Sequence, residues 1–315
     1  MQFQWRPYRR RFRQPLTTAH GVWAVREGII LRAQTASGRI SWGEIAPIPW
    51  FGTETIADAI ANCQKLAENP ALSIEDPCPA TQFGWETLRG HLCPSSSIQP
   101  APTISDCSWL LPSGSGALAD WSIGWGKGAS TFKWKIGQED LVQEQTLLSQ
   151  LLEELPAPAR LRLDANGGLT LSQARQWLQF LQNYPQVEFL EQPLPPTQFE
   201  NLQTLEKDYS TRIALDESVA TLEQLRACYE AGWRGIFVIK APLLGSPAKF
   251  REFARAKSLD LVFSSALEGP VARSVSLTLA QELGSRRALG FGVNHWFAED
   301  EQTWWRSLQQ TFLPH

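Results

Sequence analysis

The sequence is poor in the residues from which many reactive centres are built. Its 315 residues include one methionine, four histidines and five cysteines. The cysteines (Cys63, Cys78, Cys93, Cys107 and Cys228) are odd in number, scattered and free of any Cys-x-x-Cys pair. They read as reduced thiols of a cytoplasmic protein. No run reaches the 18 or so apolar residues that a membrane span needs, so no membrane partner is expected. Residues 1–8 lack the apolar stretch of a secretion signal. The formal net charge is only −3, and the one basic run, Arg9-Arg10-Arg11 with Arg13, is short. That argues against a nucleic-acid partner and reads as solvated charge on an N-terminal strand. No Gly-x-Gly-x-x-Gly follows an early strand, which weakens the case for a doubly wound, dinucleotide-type sheet.

What is present is ordinary globular material, 43% hydrophobic and 19% charged, enough for one large domain and a smaller one. Fourteen tryptophans point to rigid packing. Residues 28–34 and 39–45 read as strands around a turn at Ser37-Gly38, and residues 54–68 and 79–91 as helices. A Pro/Ser-rich stretch, residues 93–102, reads as a linker. After it, short apolar runs alternate regularly with helical patterns. The runs fall at 131–137, 159–165, 187–192, 212–217, 235–240, 260–265 and 287–291, with an eighth near 103–111. Such a rhythm implies parallel strands with helical crossovers. The expected fold class is α/β: a modified (β/α)8-type barrel over residues 99–292, with an α+β N-terminal capping domain over 1–98 that residues 293–315 complete.

Five consecutive runs end in a charged residue: Lys135, Asp164, Glu191, Asp216 and Lys240, spaced by 29, 27, 25 and 24 residues. In a barrel, the C-terminal ends of the strands surround one cavity. A period of two along residues 131–137 puts Lys133 and Lys135 on the inner face and Phe132, Trp134 and Ile136 on the outer one. By the same alternation Arg162, Asp164 and Asn166 face inward, and Lys240 shares its face with Ile236 and Val238. Three carboxylates buried together require a compensating cation. With no cysteine or histidine at a strand end, zinc does not fit; an all-oxygen set suits Mg²⁺, with Mn²⁺ as a substitute. A lysine near other cations loses proton affinity and can act as a base. The chemistry these types support is proton abstraction next to the carboxylate of a small-molecule substrate. Taken singly, Lys-x-Lys reads as a solvated strand face, Asp-Ala-Asn as a turn and Asp216-Glu-Ser as a helix cap. Their order at successive strand ends is what carries the argument.

These pieces, Lys133-Trp-Lys135, Asp164-Ala-Asn166, Glu191-Gln-Pro193, Asp216-Glu-Ser218 and Lys240, resemble the muconate-lactonising subgroup of the enolase superfamily. A lysine base working beside Mg²⁺ is a known pattern of that superfamily, and the roles below are carried over from it. The resemblance implies that Asp164, Glu191 and Asp216 hold Mg²⁺ and that Lys135 moves the proton, with Lys133 and Lys240 beside it. Within the subgroup, Gly43–Thr55 and Phe263-Ser-Ser-Ala-Leu-Glu-Gly269 are similar to the o-succinylbenzoate synthase family. That implies a syn dehydration in quinone biosynthesis, with Lys240 over the opposite ring face. It also implies Ser264 and Ser265 near the succinyl carboxylate, with Asn166, Glu217 and Arg162 as outer supports. Residues 15–25 and 47–54 become capping loops. N-succinylamino-acid racemases and muconate-type cycloisomerases share the same set. Dipeptide epimerases fit less well, because Gly290-Phe-Gly-Val293 stands where they resemble Asp-x-Asp. Sugar-acid dehydratases lack their late-strand histidine here, and a non-catalytic binding barrel predicts a missing acid or lysine, and none is missing.

Overall fold

The structure, a computed structural model, describes residues 2–18, 20–72, 74, 78–90 and 98–313. The expected linker lies outside the described residues as far as residue 97, as do Cys93, His91 and His315. A three-stranded antiparallel sheet comes first: β1 (Gln2–Thr18), β2 (Gly21–Gln34) and β3 (Ile40–Ile45), in the order β1-β2-β3. The β1–β2 hairpin is longer than periodicity suggests, because residues 15–25, expected as a loop, continue both strands to a turn at Gly21. The backbone there is left-handed (φ 110°), a conformation glycine adopts without steric cost. Two helices, α1 (Ile56–Glu68) and α2 (Pro79–Leu88), cover the sheet. Helix α1 starts in a capping box, with the Thr55 side chain accepting from the Asp58 N–H and Asp58 accepting in return.

The second unit follows the expected alternation: β4 (Ser108–Leu110), α3 (Ala117–Gly126), β5 (Thr131–Lys135), α4 (Leu141–Glu154), β6 (Arg160–Asp164), α5 (Leu171–Leu181), β7 (Val187–Glu191), α6 (Phe199–Asp208), β8 (Ile213–Leu215), α7 (Leu222–Glu230), β9 (Ile236–Ile239), α8 (Pro247–Lys257), β10 (Leu261–Phe263) and α9 (Pro270–Glu282). The seven strands form one parallel sheet in sequential order. The run at 287–291, expected as a strand, supplies only single bridges, Leu289 to Cys107 and Gly290 to Ser264. Those bridges still join the two edges of the sheet and close it. Two layers of apolar side chains result. Phe132, Trp134, Leu161, Leu163 and Leu215 pack outward under the helices, while Phe189, Ala214, Ile236, Val238 and Val262 fill the barrel interior. Trp134 and Trp177 are fully buried, with indole N–H groups that have no partner, which marks them as packing residues. Truncating either to alanine is expected to cost ~3–5 kcal/mol.

The last helix, α10 (Glu301–Gln310), returns to the N-terminal sheet, where Trp304, Leu308 and Phe312 pack with Tyr8 and Ile30. Arg10 corrects the reading of the basic run as solvated: it is buried, with its guanidinium over Phe297 at 3.8 Å and Trp304 at 4.5 Å. The two units are pinned by a buried carboxylate, Glu44 on β3. It accepts from the Tyr8 hydroxyl (2.7 Å) and from the backbone N–H groups of Gly269 (2.6 Å) and Ala272 (2.9 Å) at the start of α9. Asp216-Glu-Ser218 does not cap α7, because Thr221 does.

Candidate active site

Strand register decides which charged groups meet. Lys135, Asp164 and Glu191 are the last residues of three adjacent strands, and each is the register partner of the next. Asp216 and Lys240 stand one residue beyond β8 and β9. All five therefore lie at one height, around the C-terminal mouth of the barrel. A cavity of about 200 Å³ opens there, lined by Lys133, Lys135, Asp164, Asp216, Lys240 and Ser264. A wider cavity of about 570 Å³ adjoins it under the β1–β2 hairpin. Lys135, Leu267 and Trp296 line both.

Asp164, Glu191 and Asp216 are all buried, and two ammonium groups sit among them. Lys133 Nζ lies 2.8 Å from both Asp164 Oδ2 and Glu191 Oε1. Lys240 forms an ion pair with Asp216, and its ammonium lies 4.2 Å from the centre of the Phe51 ring. Burial alone would lower the proton affinity of Lys133, but Asp164, Glu191 and Asp216 together raise it well above the ordinary lysine value. Lys135 has no hydrogen bond or ion pair among the described residues. Burial pushes Glu191 up to about 7, reinforced by the Asp164 charge. Asp216 rises to about 6, again chiefly through burial, which Lys240 only partly offsets. Asp164 is held below its usual value because Lys133 and Lys135, with the Asn166 N–H, outweigh its burial.

Two of the expected outer supports, Asn166 and Glu217, bond each other beside Asp164. Asn166, in a left-handed conformation (φ 44°), donates its backbone N–H to Asp164 Oδ1 at 3.0 Å and its amide to Glu217 Oε1 at 3.2 Å. Ser264 and Ser265 line the inner cavity. The Ser265 hydroxyl donates to Glu268 Oε2 (2.9 Å) and accepts from the Leu267 N–H (2.9 Å). Arg162 is the correction. It points inward as alternation predicts, but one step below Asp164. There it donates to Glu188 Oε2 (2.6 Å) and the Ala288 carbonyl (2.7 Å), away from the acid cluster. Gln192 carries no charge to single it out, although it stands inside Glu191-Gln-Pro193. Fully buried, it accepts from the backbone N–H groups of Asp216 (3.0 Å) and Ser218 (3.2 Å) and donates to Ser218 Oγ (2.7 Å), which sets the position of Asp216. Arg13 and His295 border the outer cavity and Phe51 covers the Lys240 ammonium, and no spacing signal marks them.

The acids form an all-oxygen donor set. The buried Glu217 Oε2 has no partner, and burial raises Glu191 and Asp216 in spite of the lysines beside them. Among the described residues no group of three or more acidic, histidine or cysteine side chains is arranged to hold a metal ion, and Lys133 and Lys240 pair with oxygens of the three acids. The chemistry of the donors fits a hard dication such as Mg²⁺.

Residues 123–309 match the family described as Enolase C-terminal domain-like. The chain is 41% identical over 309 residues to an o-succinylbenzoate synthase of Thermosynechococcus vestitus, covering 94% of each chain. The chain belongs to the o-succinylbenzoate synthase family of the enolase superfamily. It is thereby an enzyme of the lyase class. A second family member, from Edwardsiella ictaluri, is 31% identical over 259 residues, covering 79% of this chain and 76% of its own. The crystal structure of o-succinylbenzoate synthase from Thermosynechococcus elongatus BP-1, complexed with Mg in the active site, superposes with a TM-score of 0.88 at 39% identity, covering 99% of this chain and 100% of that one. The family's fold is the one described above, a barrel with an N-terminal capping sheet. Among the described residues no helix is long and apolar enough to cross a membrane.

Proposed function

We propose that the protein converts 2-succinyl-6-hydroxy-2,4-cyclohexadiene-1-carboxylate to 2-succinylbenzoate, a step of menaquinone or phylloquinone biosynthesis, in the cytoplasm. Asp164, Glu191 and Asp216 would hold Mg²⁺, or Mn²⁺ in its place. The bound ion supplies positive charge that polarises the ring carboxylate and stabilises the negative charge developing beside it. Lys135 takes the α-proton, and the electron pair released drives out the hydroxyl on the same ring face. Lys135 then returns that proton to the departing oxygen, so water leaves and the ring becomes aromatic. Lys240, paired with Asp216 and covered by Phe51, presents a fixed positive charge to the opposite face. Lys133 stays charged between Asp164 and Glu191, and Ser264 and Ser265 border the side chain of the substrate. Residues 1–98, with 293–315, act as the cap over residues 99–292.

The observation that carries this reading is the division of labour among the three lysines: Lys133 and Lys240 are paired with acids, and Lys135 lines the cavity without a partner among the described residues. A racemase of N-succinylamino acids needs Lys240 as a second base, and its ion pair with Asp216 works against that role. The test is a direct comparison on purified enzyme with Mg²⁺. Aromatisation, followed by ultraviolet absorbance, is expected to outpace racemisation of N-succinylamino acids, and the reverse ranking overturns the lyase reading.

A further inference from the structure

The inner cavity, about 200 Å³, is ringed by the acids and lysines at the barrel mouth. Apart from Ser264 and Lys135, its polar side chains are already committed. Ser265 is held by Glu268 and Leu267, and Lys133 and Lys240 are held by the metal-site acids. The space continues past Leu267 into the outer cavity, whose walls include Leu16, Trp23 and Trp296. Leu267 forms the divider in a left-handed conformation (φ 58°), braced by Arg26, which donates to its carbonyl at 3.2 Å. Two cationic or protonatable groups besides Lys135 face this cavity: Arg13 from β1, and His295. Arg13 has no hydrogen bond or ion pair among the described residues. Lys127 and Asp120 lie close enough to act on His295 as well, so the surroundings are net positive.

We infer that the outer cavity is the subsite for the distal carboxylate of the substrate, with the Arg13 guanidinium as its charge partner and His295 beside it. Leu16, Trp23 and Trp296 take up the methylenes, and the ring stays in the inner cavity. A guanidinium suits this task because its planar fork matches a carboxylate. Arg13 becomes a specificity-determining residue: it favours substrates whose side chain ends in an anion and contributes little to those that end in an alkyl group. The inference rests on the reaction proposed above.

The experiment measures binding by calorimetry, with Mg²⁺ present, for 2-succinylbenzoate and for 2-butanoylbenzoate, which lacks the second carboxylate. Wild type is expected to prefer the dicarboxylate by about 10- to 100-fold, the range for a hydrogen bond to a charged group. Arg13→Met is expected to reduce that preference to within about threefold by weakening only the dicarboxylate, whereas Arg13→Lys retains part of it. Arg13 is exposed, so neither change should disturb folding. Full preference in Arg13→Met overturns the inference, while aromatisation by wild type leaves the reaction standing. A wild type that neither aromatises the cyclohexadiene nor binds 2-succinylbenzoate removes both.

Discussion

Lys135 and Asp164 are register partners on adjacent strands, yet the ammonium that bonds Asp164 belongs to Lys133, two residues earlier on β5. Lys133 pairs in register with Arg162, one step lower, and its long side chain climbs to reach Asp164 and Glu191 from beneath. That arrangement satisfies two buried carboxylates from below and leaves the upper lysine unpaired at the cavity wall. The two lysines of one short motif are thus given different jobs by a single step of the strand.

Replacement of Lys135 by alanine is therefore expected to lower kcat by a factor of about 10²–10⁴, the usual worth of a positioned proton-transfer group. The fold should survive, because Lys135 has no partner to lose. Steady-state kinetics alongside thermal melting checks both, and near-normal turnover would remove the base assignment.

Asp164→Asn is expected to weaken Mg²⁺ binding by ~10-fold or more, since even supporting groups around a metal are worth that much. The substitution also takes a charge partner from Lys133. Titration calorimetry reads the affinity, and an unchanged value counts against the acid cluster as the metal site.

Gly290 borders the cavity where Ser264 approaches, and a Cβ there would stand 2.6 Å from Ser264 Oγ and 3.0 Å from Ser264 Cβ. Gly290→Ala should cost about 1–3 kcal/mol through overpacking and push Ser264 into the substrate space. A raised KM and a lower melting temperature are expected. Adding Ser264→Gly should recover the stability, and failure of that rescue shows the clash lies elsewhere.

Glu268 is buried, and its Oε1 has no partner, so burial raises its carboxyl to about 7. Because the folded value lies above the unfolded one, its stabilising effect is fully present below about pH 4.5 and is lost as pH rises through about 7. Glu268→Gln keeps an acceptor for Ser265 and carries no charge. It should be more stable than wild type at pH 8, by on the order of 2 kcal/mol, with the advantage vanishing near pH 4. Denaturant titrations across that range test it, and a difference independent of pH contradicts the assignment.

Much of the site is legible in the chain because a parallel barrel converts one simple pattern, a charged residue at the end of each apolar run, into a ring. Lys135, Asp164, Glu191, Asp216 and Lys240 are found that way, and period-two alternation correctly turns Phe132, Trp134 and Ile136 outward. Alternation also turns Arg162 inward, but it says nothing about depth, so that residue is grouped with the acids when it lies a step below them. Gln192 is hidden for a different reason: its value lies in hydrogen bonds to the backbone of Asp216 and Ser218, which no pattern of residue types displays.

Local sequence thus determined most of the barrel strands, the helices between them and the identity of the charged ring, because periodicity and strand ends are properties of neighbouring residues. Only the tertiary structure decided which ammonium pairs with which carboxylate and that Arg10 is buried under aromatic rings. It also decided that Arg13, His295 and Leu267 meet beside the cavity although more than 250 residues separate the first from the other two. Those outcomes depend on side-chain reach and on the docking of the N-terminal hairpin over the barrel mouth, and both are set by packing between segments far apart in the chain.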